Sequence, residues 1–260
     1  MRGGERKGGG ILNQYTFDNP KAMFNALAEF FAETARNALE KRGNFAVAVS
    51  GGGTPATLFD LLAAESAANA ASAFFWESAL VFQVDERAVP PEHEWSNFRM
   101  LNERLLSKVP VRPENIHRIK GEHHPERAAE EYERVLRGFR AERPKEEPLF
   151  DLVLLGIGED GHTASIFPGS AAELETARLA VPVPPPTTAT PRIPRVTMTF
   201  PALNDAETAA FIVTGKKKAD IVRGFGDGNA AEGAGKLPPE KIEALGDVKW
   251  FVSVREPEDG

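Results

Sequence analysis

The chain reads as a three-layer α/β/α sandwich around a mostly parallel sheet, and three observations lead there. Short apolar runs of strand length alternate with amphipathic stretches of helical length from residue 20 to the end, the order that builds parallel sheets through helical crossovers. Phe150 to Leu155 is dominated by large apolar side chains and stops at Gly156, as a strand covered on both faces does. Residues able to do chemistry gather where such strands end: Gly51-Gly52-Gly53, Asp85-Glu86-Arg87, and Gly156 to His162. Open α/β sheets bind their ligands at that edge.

The elements follow in order. Met1 to Gly10 is basic and glycine-rich with no apolar segment after it, so it is not a signal peptide. Residues 1–15 are expected to be a disordered tail and 16–260 a single α/β domain. Asp18-Asn19-Pro20 starts a helix, with a capping side chain and then a proline whose missing N–H costs nothing there. Met23, Phe24, Leu27, Phe31 and Leu39 recur at helical spacing, and Gly43 ends the segment. Phe45 to Val49 is a strand. Thr54 is expected to cap the next helix, with Pro55 its first residue and Ala56 to Ala64 its body. Leu80 to Val84 is a strand. Ser96 caps a helix running to about Lys108, Asn115 to Ile119 is a short strand, and Pro125 to Phe139 is a charged amphipathic helix whose Glu and Arg runs are a solvated face. Leu179 to Val183 is a strand candidate. Pro182 to Pro194 reads as an extended surface segment reaching the active side of the sheet. Arg195 to Phe200 alternates as a strand with one polar face. Ala209 to Thr214 is a strand followed by a helix, Gly224 to Gly235 a loop, Pro238 to Leu245 a short helix, and Val248 to Val254 the last strand.

Bulk properties narrow the function. The net charge is −7, which argues against a nucleic-acid partner and requires any anionic ligand to find a locally basic pocket. There is no cysteine, which removes disulfides and thiolate chemistry and suits a reducing cytoplasm. No apolar run approaches membrane-spanning length, so no membrane partner is expected. His93, His117, His123 and His124 lack the spacing of metal ligands, and no metal or other cofactor is expected.

Two glycine loops carry the chemistry. Gly156-Ile-Gly-Glu-Asp-Gly161 matches the GxGxxG pattern of dinucleotide sites, but Pro168 and Gly169 cut the following helix short and no acid ends the next strand. That argues against a nicotinamide site. His162, on the same turn, is then the candidate reactive group. A histidine with an ordinary pKa of about 6.5 is mostly neutral at pH 7 and able to accept a proton. Asp160 is placed to orient the ring. The second loop, Ser50 to Pro55, is not a Walker A loop because no Gly-Lys-Ser/Thr follows. Three consecutive glycines before a helix let backbone N–H groups approach an anion. Gly215-Lys216-Lys217-Lys218 puts lysines at a helix N-terminus, where they oppose the dipole unless an anion lies nearby.

Taken together, Ser50-Gly-Gly-Gly-Thr-Pro55, Val84-Asp-Glu-Arg87 with Ser96-Asn97, Leu155-Gly-Ile-Gly-Glu-Asp-Gly-His-Thr-Ala-Ser-Ile-Phe-Pro168, Arg195-Val-Thr-Met-Thr199 and Thr214-Gly-Lys-Lys-Lys-Ala219 resemble the 6-phosphogluconolactonase family, in its order and over nearly the whole chain after residue 20. The resemblance implies a Rossmann-like catalytic domain in the cytoplasm that hydrolyses 6-phospho-D-glucono-1,5-lactone in the oxidative pentose phosphate pathway, without metal or nucleotide. His162 would be the general base, with Asp160 orienting it. Arg87 or the N–H groups of the Gly158–Gly161 turn would face the oxyanion. Gly51, Gly52, Gly53 and Thr54 would hold the phosphate with Arg195 and Lys218, the lysine that precedes Ala219 in the motif. Asp85 and Asn97 would complete the sugar site. The expected partner is a small sugar-phosphate lactone, and the expected assembly a monomer or weak homodimer.

Two other readings stand beside this one. Glucosamine-6-phosphate deaminase/isomerase resembles the chain at the glycine loop and at Asp-Gly-His, but carries an acid in the stretch that here is Ser165-Ile-Phe-Pro168, and favours an aromatic where Arg87 stands. A non-catalytic sugar-phosphate-binding domain, of the kind found in transcription regulators, would need a DNA-binding module for which the first ~15 residues leave no room.

Overall fold

The computed structural model describes residues 13–69, 75–225 and 236–257. The Met1–Gly10 tail and all but the first two residues of the Gly224–Gly235 loop lie outside them. The strands are β1 (Asn13–Phe17), β2 (Phe45–Val49), β3 (Ala79–Gln83), β4 (Asp85–Arg87), β5 (Ile116–His117), β6 (Phe150–Gly156), β7 (Ala180–Val183), β8 (Arg195–Met198), β9 (Ala206–Thr214) and β10 (Asp247–Ser253). The α-helices are α1 (Pro20–Arg42), α2 (Gly53–Ala68), α3 (Asn97–Arg104), α4 (Pro125–Glu142), α5 (Phe200–Leu203) and α6 (Lys216–Arg223).

Seven strands form one parallel sheet in the order β1-β10-β9-β6-β2-β3-β5. The alternation within each strand assigns the two covers. Phe45, Val47 and Val49 of β2 join a core built with α1, α2 and α3, while Ala46 and Ala48 face a second core containing α4 and α6. Phe211 of β9 stacks on Trp250 of β10 at 3.9 Å inside that second core. Burial of each such side chain contributes about 1.5–3 kcal/mol.

The helix signals act as their chemistry requires. Asn19 Oδ1 accepts from the Ala22 N–H (2.9 Å), Pro20 opens α1, and Gly43 closes it at φ +72°. Ser96 Oγ caps α3 by accepting from the Arg99 N–H. Gly52, at φ +105°, and not Thr54, is the N-cap of α2, so Thr54 and Pro55 fall inside the first turn. Only a glycine adopts that backbone at no steric cost.

Four expectations are corrected. Residues 13–15, read as tail, lie in β1, which pairs with β10 through Asn13↔Lys249 to Phe17↔Ser253. Arg195 to Phe200 is a strand only to Met198, and Phe200-Pro201 begins α5. Pro238 to Leu245 is a single 3-10 turn over Pro238–Lys241. The largest departure is a separate antiparallel sheet, β4-β8-β7, laid over the α4 side. It puts Asp85-Glu86-Arg87, read as the charged end of the preceding strand, into a strand of its own.

At the amino ends of the parallel strands, buried Asp151 accepts from the Ala46 N–H (2.7 Å) and pairs with Arg42 and Arg143. No helix among the described residues is long and apolar enough to cross a membrane.

Candidate active site

β2 and β6 are neighbours, but the next strand of the parallel sheet in sequence lies on one side after β2 (β3) and on the other after β6 (β9). The loops at their carboxyl ends therefore diverge and open a crevice between them. Here lies a cavity of about 220 Å³. Its wall includes Gly51, Gly52, Gly53, Thr54, Asp85, Arg87, Asn97, Gly158, His162, Arg195 and Lys218, and Asp160 stands behind His162. A larger cleft of about 380 Å³ between α1 and the β1 edge has a balanced set of charges around four aromatic rings and no convergent reactive groups.

The histidine turn is built by glycines. Gly158 N–H donates to the His162 carbonyl (2.8 Å) and Gly161 N–H, at φ +81°, to the Gly158 carbonyl (3.0 Å). Asp160 Oδ1 accepts from His162 Nδ1 and from the His162 backbone N–H (3.3 Å). Its Oδ2 accepts from the Thr188 hydroxyl. Burial alone would raise the Asp160 pKa, but the hydrogen bonds from His162 and Thr188 outweigh it and hold the carboxyl well below its usual range. Asp160 is therefore ionised, Nδ1 carries the hydrogen, and Nε2 is left as an acceptor. The ring packs on Phe167, centroids 4.5 Å apart.

The same turn narrows one expectation. The N–H groups of Gly158 and Gly161 are spent inside it, so within the turn only those of Glu159 and Asp160, which have no acceptor among the described residues, are left for an oxyanion.

Two cations line the same cavity. In the antiparallel register of β4 and β8, Arg87 lies directly opposite Arg195. Like charges in that position repel. Both Nε–H groups are buried with no hydrogen-bond partner. Arg195 is 2% exposed; burial, then the nearby Arg87, lower its pKa. Arg87 Nη1 is fixed by the Trp95 carbonyl (2.8 Å), and Arg195 by Ser165 Oγ (3.4 Å) and the Pro191 carbonyl (3.3 Å). Two apposed guanidiniums with unsatisfied donors on one cavity are a receptor for an anion.

The remaining polar groups lock this arrangement. Asp85 Oδ2 accepts from Ser165 Oγ (2.6 Å), and Asn97 Nδ2 donates to Asp85 Oδ1 (3.3 Å) and to its carbonyl (3.0 Å). A Cβ on Gly51 would lie 2.1 Å from Asn97 Oδ1, so the first loop glycine is there for space. Buried Glu86 accepts from Gln83 Nε2, Ser96 Oγ and the N–H groups of Arg87, Asn97 and Phe98. Burial raises its pKa against the pull of those donors.

At the other side, no side chain caps α2, and no described residue accepts from the N–H groups of Gly51, Gly52 or Gly53. Of the three lysines opening α6, Lys216 pairs with Asp220 and Lys217 with Glu159, both exposed. Lys218 has no ionic partner among the described residues and lines the cavity.

Sequence reasoning missed Ser165, Glu86 and Thr188 as parts of the site. Ser165 and Glu86 were legible only as members of motifs, and Thr188 only as one threonine in a proline-rich run. The other histidines are engaged elsewhere: His117 stacks on Phe82, His123 pairs with Glu131, His124 with Glu126, and His93 Nδ1 accepts from the Trp95 N–H.

A family model described as glucosamine-6-phosphate isomerases/6-phosphogluconolactonase matches residues 18–250. A 6-phosphogluconolactonase of Rattus norvegicus is 36% identical over 244 residues, covering 91% of this chain and 89% of the relative. A chloroplastic 6-phosphogluconolactonase of Arabidopsis thaliana is 34% identical over 245 residues, covering 91% of this chain and 71% of the relative. The crystal structure of a 6-phosphogluconolactonase from Thermotoga maritima aligns with a TM-score of 0.78 at 30% identity, covering 92% of this chain and 98% of that one.

Proposed function

The chain belongs to the glucosamine-6-phosphate isomerase/6-phosphogluconolactonase family, and within it we propose that this protein hydrolyses 6-phospho-D-glucono-1,5-lactone to 6-phosphogluconate. One observation carries the reading. A histidine with a free Nε2 and an ionised orienting carboxylate shares a 220 Å³ cavity with two apposed arginines whose Nε groups lack partners.

Hydrolysis begins with a water held by His162 Nε2. As the water oxygen adds to the lactone carbonyl, Nε2 takes its proton, and Asp160 stabilises the imidazolium that forms. General base catalysis of this kind is worth about 10²–10⁴-fold. The carbonyl oxygen gains negative charge facing Arg87, a donor worth on the order of 10²–10³ in rate when preorganised. Collapse of the tetrahedral intermediate breaks the bond to the ring oxygen, which takes up a proton as it leaves. The phosphate rests on the N–H groups of Gly52, Gly53 and Thr54, between Arg195 and Lys218, and spends its binding energy on placing the ester. Asp85 and Asn97 face the sugar hydroxyls.

The sister activity, deamination of glucosamine 6-phosphate, needs an acid in the stretch where this chain has Ser165-Ile-Phe-Pro168, and Ser165 is buried against Asp85. On the present reading the substrate is diffusible, the compartment is the cytosol of the oxidative pentose phosphate pathway, and the enzyme is a monomer or weak homodimer. The test is acid release from freshly prepared 6-phosphogluconolactone, with ammonia release from glucosamine 6-phosphate as the control. Lactone hydrolysis well above the spontaneous rate is expected. Ammonia release without lactone hydrolysis would assign the deaminase instead, and binding of both compounds with turnover of neither would leave a sensing domain.

A further inference from the structure

We infer that Thr188 is a positioning residue for this reaction: its hydroxyl, presented by the proline-rich segment before β8, fixes the Asp160 carboxylate and thereby keeps His162 in the form that carries hydrogen on Nδ1. The inference rests on His162 being the base.

Asp160 is half-buried on its turn, the side chain 18% exposed. A carboxylate there turns easily about its last torsion, which has broad wells. One oxygen is used by His162. The other, Oδ2, has the Thr188 hydroxyl as its only hydrogen-bond partner among the described residues. With a donor on each oxygen, the plane of the carboxylate is set. With Oδ2 released to water, the group rotates, Nδ1 loses its acceptor, and the hydrogen is free to settle on Nε2. An imidazole with hydrogen on Nε2 presents a donor to water where an acceptor is required.

A threonine in a slack surface loop would do none of this. Thr188 is exposed, but its neighbours are held. Pro184-Pro185-Pro186 fixes three φ angles in a row, and Pro186 is buried. Ala189 packs against the core on the α4 side. Three residues beyond Thr188, the Pro191 carbonyl accepts from Arg195 Nη2 (3.3 Å). The segment thus touches the site twice, at the carboxylate that orients the base and at a cation that receives the anion.

The test compares wild type, Thr188→Val, Thr188→Ser and His162→Ala on freshly prepared 6-phosphogluconolactone, together with ¹⁵N spectra of the His162 imidazole in the unliganded proteins. Valine keeps the shape and removes the donor. Thr188→Val is expected to lower kcat by about ten- to hundredfold, with KM changed less than twofold and the Nδ1–H form depleted in the nitrogen spectrum. Thr188→Ser is expected to restore kcat to within threefold of wild type. The inference is overturned if Thr188→Val keeps kcat within twofold and its nitrogen spectrum unchanged, or if Thr188→Ser is as impaired as the valine. An inactive His162→Ala beside a normal Thr188→Val sinks this inference alone. An active His162→Ala sinks the base assignment itself.

Discussion

Replacing Gly158 by alanine adds one methyl group and nothing else. Gly158 has an ordinary backbone conformation, so the new Cβ causes no strain of its own. It would, however, stand 2.2 Å from His162 Nδ1, 2.3 Å from Cε1 and 2.6 Å from Asp160 Oδ1. An ordinary carbon contact starts at 3.4 Å, so the imidazole must retreat by roughly 1.2 Å and the contact between His162 and Asp160 opens. Misplacement of a catalytic group by about 1 Å costs on the order of 10² in rate, and loss of the whole base step about 10²–10⁴. The expected result is a fall in kcat of roughly 10²–10³. The phosphate-holding groups on α2 and α6 are untouched, so inhibition by 6-phosphogluconate should stay near the wild-type value. Initial rates of acid release give kcat, product inhibition gives the affinity, and a thermal melt confirms that the fold survives. A Gly158→Ala enzyme with kcat within threefold of wild type would refute the placement of the reacting water at His162.

Three further outcomes follow from the geometry. Lys218→Gln should weaken substrate and product binding by about tenfold, the loss of one charge-assisted hydrogen bond, while Lys216→Gln and Lys217→Gln, whose partners face solvent, change KM less than twofold in the same assay. Asp151→Ala leaves Arg42 and Arg143 buried without their counter-charge and should cost about 3–5 kcal/mol in urea unfolding, with kcat unchanged because the cluster is at the far end of the sheet. Asp160→Asn probes the depressed carboxyl: a group whose folded pKa lies below its unfolded value of about 3.9 stabilises the fold above that pH and loses the contribution as pH falls through the folded pKa. The variant should therefore be less stable than wild type at pH 7, and the two melting curves should converge as pH is lowered from about 4.

Local signals were legible where a single residue decides. Asn19, Gly43 and Ser96 announce helix ends because their side chain or backbone freedom acts within a few residues, and the glycines around His162 announce a turn for the same reason. What escaped was settled by partners far away in sequence. Asn13–Phe17 has no strong period of its own and follows a glycine-rich tail; it is a strand because β10 offers an open edge. Asp85-Glu86-Arg87 has the composition of a loop. It is a strand because Glu86 finds five donors and β8 lies alongside. Thr54 looked like a helix cap because its chemistry allows it, but Gly52 turns the chain two residues sooner. The groups around the cavity could be named from their motifs. The opposition of Arg87 and Arg195 could not, since it depends on the register between two strands more than a hundred residues apart.

Glu86 has a consequence for the loop between β4 and α3. Its two oxygens gather both ends of the excursion from Arg87 to Asn97, taking N–H groups from the residue that leaves the strand and from the residues that enter α3. The excursion is closed at its neck like a drawstring purse. Residues 90–92 can change in sequence while the neck holds the backbone of Arg87 and Asn97. Variation at the outer end of that loop is thereby uncoupled from the backbone that carries the two site residues.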